Sequence, residues 1–361
     1  MKRCTHCVLT ENMPNIHFDA DGVCNFCRNT NKIEFNGEKE LIRLLDSYKN
    51  SGNKYDCIVT LSGGRDSTYT LLKMVKDYGM KVLAVNYENP FTDPVAKKNI
   101  ENAVKILNVD LIRFQLGGNS HERLLKHNLN VWLKHPNPAL IPILCISCKT
   151  IWYTILKIAK REGIRCIVSG GNPYEDNAFK KELLNVASNE KIENSFTKAL
   201  TGIILETMKN PGYYHPVCIP TLMKGYFFGD PYCIGTRILG RDISRIDLFQ
   251  YIEWHEDEIL SRIRNELDWD SPHDLSGTWR FDCHVGHLKE FLYLETIGMT
   301  ERDDLYSKMV RQGLMTRDEA LIRLERENPV QFDYIENLLK KAGCENISCL
   351  SNVPFSKKIN Q

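Results

Sequence analysis

A six-residue glycine turn, Ser62-Gly63-Gly64-Arg65-Asp66-Ser67, directly follows the apolar run Cys57–Leu61. The apolar run predicts a short buried strand, and the residues from Ser67 onward predict a helix. Two glycines let the backbone approach an anion, and the free N–H groups at a helix start point toward it. The hydroxyls of Ser62 and Ser67 add donors, whereas Asp66 would repel a phosphate unless a divalent cation lay between them. The turn therefore predicts a phosphate site that uses Mg²⁺, placed at the end of a strand.

The common P-loop does not describe this turn, because its Gly-Lys-Ser/Thr ending and four-residue spacer are both missing. The hexapeptide instead resembles the PP-loop, Ser-Gly-Gly-x-Asp-Ser, of the ATP pyrophosphatase superfamily, whose fold is HUP-like. That resemblance implies cleavage of ATP between its α and β phosphates and transfer of AMP to a substrate oxygen. It implies ATP contacts from Ser62, Gly63, Gly64, Arg65, Asp66 and Ser67, with Asp66 and Ser67 as the catalytic residues. A turn without a ligand is the alternative, which the flanking strand and helix disfavour.

Strands that alternate with helical patterns surround the turn, and this alternation favours an α/β fold with a doubly wound parallel sheet. Ligands bind such sheets outside the carboxyl ends of the strands, where the strand order reverses. The predicted strands span Cys57–Leu61, Lys81–Tyr87, Asp110–Gln115 and Arg165–Ser169. The predicted helices span Lys39–Asn50, Pro94–Leu107, Ile151–Glu162 and Asp247–Glu253.

Two of these strands end in residues that suit an ATP site. Asn86 closes the second strand, and the superfamily resemblance implies that the adenine lies against the backbone there. Gly170 and Gly171 form a second glycine turn on the same rim, which is either an ATP contact or an ordinary loop. Glu175 and Asp176 follow, and such paired acids suit a metal or an acid–base contact unless they are simply solvated.

The N-terminal segment contains two C-x-x-C pairs, Cys4/Cys7 and Cys24/Cys27, with sixteen residues between them. Four thiolates complete a tetrahedral zinc site, and a ribbon this short needs the metal for its stability. An iron–sulfur cluster is the lesser alternative. The stretch Ile16–Val23 between the pairs predicts a strand and then an Asp/Gly turn.

Several segments resemble the N-acetyl sugar amidotransferase family, whose members carry a cysteine ribbon ahead of the same PP-loop. The quoted segments are Cys4-x-x-Cys7, Ile16–Cys27, Thr278-Trp279-Arg280-Phe281-Asp282, Asp304–Gly313 and Thr316–Leu321. The resemblance implies conversion of an acetamido group to an acetamidino group on a nucleotide-linked sugar, in surface polysaccharide (lipopolysaccharide-type) biosynthesis. It also implies a separate glutaminase subunit as the ammonia source, since the chain has no evident glutaminase signature.

A second cysteine constellation is formed by Cys145 and Cys148, which open a helix near Lys149, and by the distant Cys283. Thiols at a helix start have a lowered pKa and are good ligands. The layout is similar to PP-loop tRNA-thiolating enzymes, which implies a candidate [4Fe-4S] cluster held by Cys145, Cys148 and Cys283. Cys218 or Cys233 as the third ligand, a zinc site with His284 and His287, and plain packing remain alternatives.

Composition adds a few limits. The net charge of +1 gives no overall footprint for nucleic acid. The sequence has no run of 18 apolar residues, so no membrane span is expected. The sequence contains thirteen cysteines, and its N-terminus does not resemble a signal peptide. These two features favour the reducing environment of the cytoplasm.

We divide the chain into a cysteine ribbon (1–35), a PP-loop domain (36–255) with an insertion at about 185–236, and a helical C-terminal region (256–361). Aromatic residues in the insertion suit stacking on a sugar or base, plain packing, or the contact of a homodimer. Two C-terminal helices are predicted at Asp303–Gly313 and Thr316–Asn328, the second capped by Thr316 in a capping box with Glu319. Residues 351–361 are expected to fray. Candidates for binding a nucleotide-sugar phosphate are Arg280, Lys308, Arg311 and Arg317.

The sequence thus predicts an ATP-dependent, AMP-forming enzyme. In the leading hypothesis ammonia displaces AMP from an adenylated acetamido oxygen. The alternatives are a sulfurtransferase that thiolates a tRNA base or a small molecule, and a non-catalytic subunit that binds ATP.

Overall fold

The computed structural model describes residues 2–49, 52–175, 178–187, 192–344 and 350. Its central feature is a five-stranded sheet with the order β3-β2-β1-β4-β5, in which every neighbouring pair is parallel. The strands are β1 (Cys57–Thr60), β2 (Val82–Tyr87), β3 (Asp110–Phe114), β4 (Cys166–Ser169) and β5 (Ser244–Asp247). The predicted doubly wound α/β fold is confirmed, with an N-terminal cysteine cluster and a helical C-terminal region.

The fifth strand is missing from the sequence prediction. β5 pairs with β4 from Cys166↔Ser244 to Ser169↔Asp247, and a short 3₁₀ turn, Leu248–Gln250, follows it. The helix predicted for Asp247–Glu253 is therefore wrong. Its apolar residues Leu248 and Phe249 are buried in the core, so they serve the sheet edge and do not form a helical stripe.

The helices begin and end as follows: α1 Asn25–Arg28, α2 Glu38–Asp46, α3 Arg65–Leu72, α4 Pro94–Leu107, α5 Ser120–Lys134, α6 Ile146–Lys149, α7 Ile151–Arg161, α8 Ala178–Glu182, α9 Ile192–Met208, α10 Ile219–Phe228, α11 Ile234–Leu239, α12 Glu256–Leu267, α13 Val285–Ile297, α14 Glu301–Gln312, α15 Arg317–Glu327 and α16 Phe332–Lys341. Further 3₁₀ turns span Pro138–Cys145, Pro173–Glu175 and Pro211–Tyr214, and a π turn, Lys73–Asp77, extends α3.

The two faces of the sheet are covered by different helices, because successive strand residues point to opposite sides. Val59 and Ala84 face α2, α3, α4 and α12 in the largest core cluster. Ile58 and Leu83 face the other way, toward α7. This layering leaves the carboxyl ends of the strands uncovered by the sheet's own helices, so the loops there can form a site.

The N-terminal ribbon and the C-terminal helices pack together in a separate core cluster with α5 and the Pro138–Cys145 turn. Thr316 caps α15 by accepting from the Glu319 amide at 3.2 Å, as predicted, whereas the reciprocal capping box belongs to α14, between Thr300 and Asp303. The predicted fraying of 351–361 and the expected role of Asp176 lie outside the described residues.

The insertion folds mainly as the helices α9, α10 and α11. Some of its aromatic residues pack internally, since the Thr207 hydroxyl contacts the Tyr214 and Tyr226 hydroxyls at 3.0 and 2.9 Å.

One stretch of the described residues, Pro138–Arg161, is long and apolar enough to cross a membrane, with a mean hydropathy of 1.7. More than half of its most apolar window, 56%, is buried inside the protein, which is also what a core segment of a soluble protein shows.

Candidate nucleotide site and metal centres

The PP-loop leaves β1 and enters α3 in the predicted geometry. Gly63 has φ +86°, and a Cβ at this position would lie 2.2 Å from the Ala96 carbonyl oxygen, so only glycine fits. The Ser62 and Ser67 hydroxyls are 3.1 Å apart, and the Ser67 hydroxyl donates to the Gly64 carbonyl at 3.2 Å. These bonds hold the loop closed. Among the described residues no side chain caps α3, so its first-turn amides can bind an anion.

The loop opens into a cavity of about 490 Å³. Ser62, Gly64, Asp66 and Ser67 line one part of its wall. The cavity lies where the strand order reverses, between β1 and β4, which is where sheets of this type bind ligands.

The other predicted ATP residues divide into two groups. Asn86 and Gly170 line the cavity, and the Asn86 amide donates to the Leu61 carbonyl at 2.7 Å, which ties β2 to the start of the loop. Gly63 and Gly171 are not among its described lining residues; Gly63 faces α4, and a Cβ on Gly171 would lie 2.8 Å from Asp247 Oδ1. These two glycines therefore shape the backbone and do not face the cavity.

Arg65 also lines the cavity, and its predicted ATP contact stays a prediction. Its side chain is 5% exposed and forms an ion pair with Glu256, and its Nη1 donates to the Thr278 hydroxyl at 2.9 Å. Glu256 in turn accepts from Arg323 Nη1 at 2.6 Å. Although burial opposes ionisation, Arg65 and Arg323 hold the pKa of Glu256 below its usual range. Arg65 therefore braces the loop against α12 and α15.

Three carboxylates line the cavity near the loop: Asp66, Glu175 and Asp282. Burial raises the pKa of Asp66 to about 6, with Arg65 opposing and Glu175 adding to the rise. Burial also raises the pKa of Asp282, and Glu175 adds to this rise despite a hydrogen bond from Ser62. A cation beside these carboxylates would offset their charge. Their oxygens are not among the groups of three or more ligand atoms within 4.8 Å of one another in the described part of the chain. The wall therefore suits a Mg²⁺ whose remaining ligands come from ATP, and not a preformed three-carboxylate site.

The C-terminal segment Thr278–Asp282 forms another part of the cavity wall. Trp279 Nε1 donates to Glu175 Oε1 at 2.7 Å, and Arg280 stacks on the Trp279 ring at 4.6 Å. Arg280 has φ +53°, a left-handed conformation that is uncommon for a residue other than glycine. No role for Asp282 was predicted from the sequence. The only signal for it was that the segment Thr278–Asp282 resembles the amidotransferase family.

Lys289 on α13 also lines the cavity, and sequence reasoning missed it entirely. Its Nζ lies 3.1 Å from Glu301 Oε1, a carboxylate that is 1% exposed. Nothing in the local sequence marks a helical lysine as a cavity residue.

Cys145, Cys148 and Cys283 all line the same cavity as the PP-loop. Asn89 Nδ2 contacts Cys283 Sγ at 3.2 Å and Cys148 Sγ at 4.0 Å. The three sulfurs are not among the groups of ligand atoms that lie within 4.8 Å of one another in the described part of the chain. This wider spacing disfavours a single zinc shared by the three thiols. Thiolates on different irons of a cluster are separated by the cluster itself, so an iron–sulfur cluster stays a candidate.

The predicted lowering of thiol pKa at this helix start is wrong for Cys148. Burial raises the pKa of Cys148 well above its usual range, and the neighbouring Cys145 and Cys283 add to the rise. Burial likewise raises the pKa of Cys283 to about 12. Desolvation outweighs the helix dipole here, and a bound metal would be needed to hold these thiols ionised.

The alternatives to this trio are placed elsewhere. Cys218 and Cys233 are buried and are not among the described residues that line the cavity. His284 Nε2 pairs with Asp93 Oδ2 at 2.9 Å, and burial lowers the pKa of His287 to about 4.

The N-terminal cysteines Cys4, Cys7, Cys24 and Cys27 converge, and their sulfurs lie within 4.8 Å of one another. The Cys4–Cys27 and Cys7–Cys24 distances are both 3.8 Å, and Cys24–Cys27 is 3.5 Å. Four sulfurs at about 2.3 Å from one zinc, in a tetrahedron, are about 3.8 Å apart. This donor set therefore fits zinc. The Asp/Gly turn forms as predicted, whereas the strand predicted before it is wrong, since Phe18 makes only an isolated antiparallel bridge with Cys24.

The ribbon is docked on the C-terminal helices by arginines. Arg317 Nε donates to the Cys4 and Cys7 carbonyls, both at 3.1 Å, and Arg311 Nη1 lies 3.9 Å from Cys7 Sγ. Lys308 donates to the Pro173 carbonyl at 2.8 Å. Of the four basic residues proposed for a sugar-nucleotide phosphate, only Arg280 lines the cavity among the described residues.

The region around the PP-loop is similar to known proteins. Residues 52–173 match the family model described as thiamine biosynthesis protein (ThiI). An uncharacterized protein of Methanocaldococcus jannaschii is 31% identical over 114 residues. That match covers 30% of this chain and 41% of the relative, so the chain spans less than half of that protein's length.

Two solved structures are similar to this chain. NMN synthetase from Francisella tularensis has 11% identity and a TM-score of 0.39, with 84% of this chain and 93% of that chain covered. The U34-tRNA thiolase NcsA from Methanococcus maripaludis, solved with its [4Fe-4S] cluster, has 16% identity and a TM-score of 0.34, with 87% of each chain covered. The ThiI match and the loop after β1 support the PP-loop ATP pyrophosphatase superfamily, while the N-acetyl sugar amidotransferase family is not confirmed.

Proposed function

We propose that the protein is an ATP-dependent amidotransferase that converts the acetamido group of a nucleotide-linked sugar to an acetamidino group. One observation carries the proposal. The segment that resembles the amidotransferase family, Trp279–Asp282, lines the same cavity as the PP-loop. The PP-loop and the segment that resembles the amidotransferase family therefore line one cavity, in which an acceptor oxygen can reach the α phosphate of ATP.

The reaction divides into two displacements. The acetamido oxygen attacks the α phosphorus and pyrophosphate leaves. Ammonia then adds to the former carbonyl carbon, and AMP leaves with the oxygen, which gives the amidine. The first-turn amides of α3 and the Ser62 and Ser67 hydroxyls bind the phosphates. Asp66 would be a ligand of a Mg²⁺ whose other ligands come from the phosphates of ATP, and this cation would neutralise charge on the leaving pyrophosphate. Arg65 positions the loop through Glu256.

Ammonia must come from outside this chain in the proposal, and a glutaminase subunit is the expected source. Ammonium salt at high concentration replaces such a partner in the test, so the chain can be assayed alone. The thiol-rich metal sites suit the cytoplasm, because thiolate ligands persist in a reducing compartment.

An isotope experiment tests the first displacement. UDP-N-acetylglucosamine carrying ¹⁸O in its acetamido group is incubated with ATP, Mg²⁺ and ammonium chloride. We expect one ¹⁸O atom in the AMP and an amidine product, both read by mass spectrometry. Unlabelled AMP would mean that water attacks ATP and would refute adenylation of this oxygen. The D66N variant should lose pyrophosphate release, and undiminished release would refute the role of Asp66.

The cysteine trio favours a second candidate function, which is sulfur transfer to the carbon that bears the adenylated oxygen. Cys145, Cys148 and Cys283 line the cavity and would hold a [4Fe-4S] cluster, which supplies an iron site for sulfide. Iron, sulfide and the visible spectrum of protein purified without oxygen distinguish the two. Iron and sulfide lost in C148S would favour sulfur transfer, whereas colourless protein that forms amidine would favour amidation.

A further inference from the structure

The wall of the cavity also carries two cations, Arg280 and Lys289. Both also contact Glu301, a carboxylate that is 1% exposed. Lys180 contacts the same carboxylate, with its Nζ 2.8 Å from Glu301 Oε1. Arg280, Lys289 and Lys180 thus share one buried carboxylate. Burial lowers the pKa of Lys180 to about 7, so the cations that remain charged beside Glu301 are Arg280 and Lys289.

The neighbouring carboxylates do not remove this surplus. Glu175 lies 3.3 Å from Arg280 Nη2 but also raises the pKa of Asp66 and Asp282 in the same cavity. Glu290 faces Arg302 at 3.9 Å, and burial, with Glu301 adding to it, raises the pKa of Glu290 to about 7. Buried cations without full compensation are stabilised when an anion binds beside them.

The cavity wall therefore carries charges of both signs. Asp66 and Asp282 suit a metal bound to ATP. Arg280 and Lys289 have side chains that are 34% and 14% exposed. Arg65 also lines the cavity, and it pairs with Glu256, which Arg323 shares.

We propose that Arg280 and Lys289 form a subsite for a phosphate group of the acceptor, separate from the loop that binds the phosphates of ATP. The subsite rests on the proposed function, since it names what the acceptor carries. A sugar linked to a nucleotide through a diphosphate meets this requirement. A nucleic-acid backbone has the same chemistry and is an outcome of the test.

Lys180 and Lys289 make a matched pair for that test. Both bind Glu301 Oε1, so K180M and K289M each leave Glu301 with two of its three basic partners. Only Lys289 is among the described residues that line the cavity. A general loss of folding or of local charge affects both variants, whereas loss of a phosphate contact affects K289M alone. K289R restores a donor at the same position.

The experiment is calorimetry with three probes: UDP-N-acetylglucosamine, inorganic phosphate and a tRNA transcript. The nucleotide site is first saturated with α,β-methylene-ATP and Mg²⁺. We expect UDP-N-acetylglucosamine to bind wild type, to bind K289M about 10-fold or more weakly, since a charged hydrogen bond is lost, and to bind K180M like wild type. K289R should recover most of the affinity.

Three results would overturn the subsite. These are equal affinities in K289M and K180M, no binding of any probe to wild type, and weaker binding of the ATP analogue in K289M, which would place the cations on the pyrophosphate of ATP. Binding of tRNA alone would overturn the sugar-nucleotide acceptor. Failure of the proposed function has a different signature, because binding would persist without release of pyrophosphate.

Discussion

The buried bridge between Arg65 and Glu256 gives a quantitative test of how the loop is held. Glu256 has a side-chain exposure of 15% and pairs with Arg65, which is 5% exposed, and with Arg323, which is 14% exposed. The E256Q substitution keeps the shape but removes the negative charge. Arg323 then keeps Glu327 at 3.1 Å, and among the described residues Arg65 keeps only the more distant Asp66 at 3.7 Å.

Breaking a buried pair in this way costs about 3–5 kcal/mol, and we expect the lower end because glutamine still accepts one hydrogen bond. An unfolding entropy of about 2.1 cal/mol/K per residue gives about 0.8 kcal/mol/K for 361 residues. A loss of about 3 kcal/mol therefore lowers Tm by about 4 °C.

The matched control is E258Q, on the same helix two positions later. Glu258 is exposed and accepts from the Tyr69 hydroxyl at 3.0 Å, which glutamine can also do, so Tm should barely change. Scanning calorimetry measures both variants. Equal Tm values for E256Q and E258Q would refute the bracing role of Glu256.

The same variant separates two roles for Arg65. If Arg65 braces the loop, E256Q loosens the loop and weakens binding of α,β-methylene-ATP. If Arg65 instead contacts a phosphate directly, E256Q frees its guanidinium and binding is unchanged or tighter. Isothermal titration of the analogue reads the direction of the change, and tighter binding would restore the direct ATP contact predicted from the sequence.

Three further substitutions test other parts of the structure. G63A forces a Cβ to within 2.2 Å of a backbone carbonyl at φ +86° and should abolish pyrophosphate release, whereas G117A, with open space around it, should not; active G63A would contradict the loop geometry. C24S should lose about one zinc per chain by metal analysis, while C344S keeps it; unchanged zinc in C24S would exclude the four-cysteine site. Burial lowers the pKa of His121 to about 4, below about 6.5 in the unfolded chain, so its stability contribution is complete above pH ~6.5 and is lost toward pH ~4. Wild type should therefore lose about 2 kcal/mol more than H121Q between pH ~7 and pH ~5 in urea unfolding, and parallel losses would contradict the buried neutral imidazole.

Part of this site could be predicted from short stretches of the sequence. The PP-loop closes through contacts within six residues, such as Ser62 with Ser67, and the ribbon closes through knuckles whose spacing is fixed by the metal. Both could be predicted because turn chemistry and ligand spacing act over short distances along the chain. The same holds for β1, whose apolar run and glycine turn are adjacent.

The remaining site residues come from distant parts of the chain. Glu256 reaches Arg65 across 191 positions, and Lys289 enters the cavity from α13, whose sequence shows almost no amphipathic pattern. Tertiary packing alone places them. β5 was missed for a similar reason, because a short edge strand is stabilised by its pairing with β4 rather than by its own composition.

In the proposed reaction, the cysteines that line the cavity limit which atom can attack the carbon that bears the adenylated oxygen. Burial raises the pKa of Cys148 and Cys283, so these thiols stay protonated unless a metal offsets the charge of their thiolates. Protonated thiols are weak nucleophiles and would not compete with ammonia in the same cavity. Bound to iron, the same residues would instead serve sulfur delivery. With the acceptor held constant, iron content is therefore the variable that distinguishes nitrogen transfer from sulfur transfer at this site.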